Sequence, residues 1–138
     1  MDIDMSVLRR MVRVGRVSSI NPNEMSARVT FPDMDDSVSD DLPIMTFGSQ
    51  TAKSYWMPDI DEQVLCLMLP NTSGKGSNDG FIIGSFFSDA DKPVKMGAGI
   101  RRIDFGDGSF MEHDRTTGNL KIVATGDITI QGKSISLN

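Results

Sequence analysis

Few side chains in this 138-residue sequence have the type and spacing that chemistry requires. Ser73-Gly74-Lys75-Gly76-Ser77 invites a phosphate-loop reading, but the glycine needed five positions before Gly74 is Leu69, and Lys75 is followed by Gly76 rather than Ser or Thr. The segment therefore reads as a surface turn. His113 is the single histidine, in the polar run Glu112-His113-Asp114-Arg115, and Cys66 is the single cysteine, in the apolar run VLCLML. Neither has the imidazole or thiolate neighbours that a zinc or iron site needs, and no nucleophile pairs with a base. The close carboxylates Asp59 and Asp61, and Asp104 and Asp107, read as surface features. Residues 32–42 hold five aspartates but lack the glycine and the closing glutamate of a calcium loop, so they read as a solvated acidic loop. The expectation is a protein with no catalytic residues, no cofactor and no metal.

Composition narrows the partners. A net charge of −5 and a pI near 4.7 argue against nucleic acid, whose phosphates call for a basic surface. Tyr55 and Trp56 are adjacent, so on a strand they point to opposite faces and make a poor stacking platform for bases. A lone cysteine in an apolar run points to synthesis in a reducing cytoplasm. The start of the chain has no signal-peptide apolar region, and no apolar stretch approaches the ~20 residues of a membrane span. Thirteen glycines and six prolines among β-branched runs favour an all-β fold.

The elements that must position any site begin with residues 100–138. These read as a ladder of short strands, IRRIDF, SFMEHD, NLKIVAT, ITIQ and SISLN. Corner glycines at 108, 118, 126 and 132 give intervals that shrink from 10 to 8 to 6 residues. Apolar residues recur with the period of two of a half-wet strand. Nine large side chains make up the candidate buried strip: Ile103, Phe105, Phe110, Leu120, Ile122, Ile128, Ile130, Ile135 and Leu137. The ladder has no helix or second sheet of its own to cover them, and a lone strip of this kind is unstable. At roughly 1.5–3 kcal/mol each if buried, they point to other copies of the chain as the cover, three strips closing into a tapered prism. The alternative is a flat meander packed on the preceding domain.

Before the ladder, residues 11–20 and 25–31 read as a hairpin. Gly15 stands inside its first strand as a bulge or bend. Residues 43–48 read as a third strand, 63–69 as a central strand buried on both sides, and 80–88 as a fifth with a bend at Gly84. Five such strands fit an OB-type Greek-key barrel. The expected organisation is an arm at 1–10, helical or extended, a barrel at 11–88, a linker at 89–99 and the ladder at 100–138.

Three segments, taken in order, resemble the baseplate assembly protein V family, the central spikes of contractile phage tails and phage-tail-like bacteriocins. They are RVGRVSSINPNEMSARVTF at 13–31, YWMPDIDEQVLCLMLP at 55–70 and DGFIIGSFFSDADKP at 79–93. Asp61 departs from the glycine usual before Glu-Gln-Val. Many such spikes also end in a His-x-His motif whose copies hold iron, whereas this chain ends SISLN. The resemblance implies a homotrimer, a virion or particle component made in the bacterial cytoplasm. Its barrel collar would dock under the tail hub, and its triple-stranded β-helix would point at the target cell envelope, with or without a separate tip protein. The apex, Leu137 and Asn138, would carry no metal, and the role would be mechanical rather than enzymatic. The competing class is a monomeric OB-fold module that binds a ligand or nucleic acid.

Overall fold

Alternation with period two dominates the sequence, and the chain follows it. The computed structural model describes residues 5–70 and 78–138. The first four residues of the arm and the Ser73–Ser77 turn lie outside them. The described chain is mostly β-sheet with one short helix, in agreement with the all-β reading. It divides into two compact units, Met1–Lys92 and Pro93–Asn138.

In the first unit, helix α1 (Met5–Met11) leads into β1 (Val12–Asn21), which pairs antiparallel with β2 (Ser26–Phe31). A 3-10 turn at Pro32–Met34 and the two short strands β3 (Ser37–Val38) and β4 (Leu42–Pro43) follow. Strands β5 (Gln63–Leu69) and β6 (Asp79–Ser85) complete the unit. The sheet runs β3-β2-β1-β5-β6, with β4 also on β2. Ile44 then bridges Ile82 in parallel, and the Met45 N–H donates to the Ile82 carbonyl at 2.9 Å. This link joins β4 to β6 and closes the sheet on itself, so that few strand edges stay unpaired. Inside sit Val17, Ala27, Val29, Phe31, Leu42, Ile44, Val64, Cys66, Met68 and Ile82, with Trp56 and Met57 against them.

Several expectations are corrected here. Strand β5 is not buried on both sides: Val64, Cys66 and Met68 point inward and are fully buried, while Leu65 and Leu67 on the other face are half-buried and Leu69 is exposed. A closed sheet has only one inside, so its strands alternate even where every residue is apolar. Gly15 is not the bulge, which falls between Val17 and Ser19. A Cβ at Gly15 would stand 2.4 Å from Val29 Cγ1 and 2.7 Å from the Thr30 carbonyl oxygen, so this glycine allows a close crossing of β1 over β2. The third strand shrinks to Leu42–Pro43 plus the Ile44 bridge. The arm, left open between helix and extended chain, is helical from Met5 to Met11.

In the second unit, β7 (Ile100–Asp104), β8 (Phe110–Asp114) and β9 (Leu120–Val123) form an antiparallel meander. Gly108 and Gly118, with φ of 96° and 78°, take the left-handed backbone that its corners demand. The expected rungs ITIQ and SISLN do not form strands: residues 124–138 have no ladder partner among the described residues. A strand exists only where a neighbour takes up its backbone hydrogen bonds.

Candidate functional site

Register assigns every side chain of the meander to one of two faces. Ile103 lies opposite Met111, and Met111 opposite Ile122; Arg101 lies opposite His113, and His113 opposite Leu120. These six share one face. Ile103 is 58 % exposed, Leu120 64 % and Ile122 55 %. No carboxylate stands on this face of the three strands, and its large apolar side chains are left in water.

The other face is closed by charge. Glu112 is 4 % exposed and accepts hydrogen bonds from Arg102 Nη1 at 2.8 Å and Lys95 Nζ at 3.1 Å. The Arg102 guanidinium also donates to both oxygens of Asp104, at 2.9–3.0 Å, and stacks 3.8 Å above the Phe110 ring. Hydrogen bonds from Arg102, then from Lys95, hold the Glu112 carboxyl below its ordinary range, and the bonds to Asp104, then to Glu112, raise the Arg102 guanidinium. Lys95 belongs to the segment before β7, so its ion pair fastens that segment over this face.

The corners are ordered by a third carboxylate. Asp107 accepts the Ser109 N–H at 2.8 Å and the Thr125 hydroxyl at 3.3 Å. Its carboxyl is lowered, first by that Ser109 backbone bond. Thr125 N–H in turn donates to the Ser109 hydroxyl at 3.1 Å, which ties the start of the strandless tail to the first corner.

Of the nine side chains expected to form one strip, Ile103, Leu120 and Ile122 lie together on the open face. Phe105 follows the end of β7 and is 59 % exposed. Phe110 is the correction: it stands opposite Asp104 and Val123, on the charged face, beneath Arg102. The five residues between Asp104 and Phe110 shift the parity, so Met111 takes the place expected of Phe110. Counting register through that corner finds Met111; ranking residues by size does not. Ile128, Ile130, Ile135 and Leu137 are exposed on the tail, together with Asn138. Among the described residues no three His, Cys, Asp or Glu side chains converge as metal ligands, and no helix is long and apolar enough to cross a membrane.

The arrangement of the second unit leaves apolar surface to be covered. Every buried hydrophobic residue among those described lies in the first unit. The second has ordered strands over a face without a cover.

Comparison with known proteins returns no matching family model. It does return a relative, the spike protein of Escherichia phage P2, 26% identical over 127 residues. The match takes in 91% of this chain and 57% of the relative, so the chain spans little more than half the length of the protein it resembles.

Proposed function

We propose that three copies of this chain assemble into a structural spike of a contractile phage tail or a phage-tail-like particle. The first unit is then an OB-type barrel, a reading supported by the strand order and by the parallel Ile44 to Ile82 closure. The second unit is one third of a triple-stranded β-helix. The observation that carries the proposal is the open face of Arg101, Ile103, Met111, His113, Leu120 and Ile122, continued by a tail whose isoleucines are exposed and have no ladder partner among the described residues. Burial of its four apolar members is worth roughly 1.5–3 kcal/mol each. The likeness to a phage spike protein supports the same reading.

The work is mechanical. Backbone pairing between copies would satisfy the donors and acceptors of residues 124–138, and a closed sheet carries force along its axis without an exposed edge. The barrels would dock on the tail hub, and the narrow end would meet the target envelope when the sheath contracts. No bond is made or broken in this role. Gold-labelled antibody against the chain should mark the baseplate end of intact particles in electron micrographs. Label confined to the sheath or the head, or absent from particles altogether, would overturn the assignment.

A further inference from the structure

The first unit carries a groove of about 530 Å³ between the turn before β5 and the segment after β6. Its apolar lining includes Ile60, Phe86 and Phe87, exposed by 56 %, 45 % and 68 %, and its rim carries Asp59, Asp61 and Asp91. Its wall at Asp59–Asp61 is held through hydrogen bonds to the backbone there rather than through these carboxylates. Glu62 Oε1 accepts the Asp59 N–H at 3.0 Å, the Asp61 N–H donates to the Val17 carbonyl at 2.8 Å, and the Asp61 carbonyl accepts Arg16 Nη1 at 3.2 Å. Among the described residues none of the three rim carboxylates is in an ion pair.

A complementary surface stands on the same unit. Helix α1 has the sequence MSVLRRM, with no acidic residue, Arg9 and Arg10 in its last turn, and Met5 and Leu8 exposed by 65 % and 40 %. It leads into Val12, which pairs with Leu67 near one end of β5; the groove holds Gln63, at the other end. Two unlike patches, one acidic and aromatic, one basic and aliphatic, thus lie at opposite ends of one strand. A ring with three-fold symmetry needs such a pair, because each of its interfaces joins two different patches.

We propose that α1 of one copy seats in the Phe86–Phe87 groove of the next, with Arg9 against the Asp59, Asp61 and Asp91 rim, so that the barrels join head to tail around the ring. This rests on the trimer reading above. The strips of the second unit tether the barrels at high effective concentration, so an interface weak on its own suffices.

The test is a full-length chain carrying Leu8→Cys and Phe87→Cys, oxidised mildly and run on a non-reducing gel beside its light-scattering mass. Covalent dimers and trimers are expected, because Leu8 of one copy then faces Phe87 of its neighbour. In the same background Arg9→Glu should lower the cross-linked fraction by a factor of about two to five, the weight of an exposed ion pair, and adding Asp59→Arg should restore it. A trimeric mass with only monomer bands, or a yield indifferent to Arg9→Glu, would overturn the pairing and leave the trimer standing. A monomeric mass would overturn both.

Discussion

Two residues of the first unit depend on what surrounds them. Gly15 lets β1 cross β2 at a distance no side chain tolerates, since an added Cβ would also stand 2.9 Å from the Phe31 ring. We expect Gly15→Ala to cost about 1–3 kcal/mol by overpacking, read as a lower denaturation midpoint; a midpoint equal to the parent's would refute the close crossing. Cys66, across from Arg13 on β1, has its thiol pushed up to about 11, by burial first and with the Arg13 charge opposing. Arg13 is itself 5 % exposed, stacked 3.7 Å over Phe31 and 3.5 Å from the Asp33 carboxylate. The composition of β1 hides this, because a buried arginine looks in sequence like any wet position of a strand.

Glu112 supplies the pH dependence of the second unit. Its folded carboxyl titrates below the ordinary value, so the stability from its bonds is present above the unfolded value. That stability is lost as pH falls through the lowered one. The stability gap between the parent and Glu112→Gln should therefore be constant from neutral pH down to the ordinary glutamate range near ~4.3, and close below it. A gap that widens on acidification would contradict the clamp. By alternation with Ile103, Arg102 and Asp104 read in the sequence as wet positions of a strand. Their ion network needs Glu112 and Lys95, which come from two other segments, and no local pattern joins them.

At the scale of elements, strands with strong alternation were readable and their partners were not. The hairpin at β1 and β2, the run at β5 and the first three rungs of the ladder follow from period two and glycine corners. The bulge, the length of β4 and the parity of Phe110 depend on register, which is set between strands rather than along them. The last two rungs have strand pattern and no strand, because among the described residues no neighbouring strand takes up their hydrogen bonds. If other copies supply them, Ile128→Asp should abolish assembly: it removes roughly 1.5–3 kcal/mol of burial per chain and brings three carboxylates together. Phe110→Ala, on the charged face, should weaken the Arg102 stack and leave the oligomer intact. Size-exclusion elution of the two variants checks this, and loss of assembly in Phe110→Ala would mean that the charged face is the buried one.

For the whole molecule, the contrast between the units decides the account. The first holds a closed sheet around ten buried hydrophobic residues among those described. The second holds ordered strands, a clamp of charge on one face, and no apolar core of its own among the described residues. The proposed assembly would complete the second unit with further copies of the chain. The sequence carried that imbalance openly in its shrinking glycine intervals and unmatched isoleucines. The direct measurement is the native mass of the full-length chain by light scattering at micromolar concentration. Three chains of 15.1 kDa, 3 × 15.1 or about 45 kDa, are expected; a stable, well-folded monomer of 15.1 kDa would contradict the account.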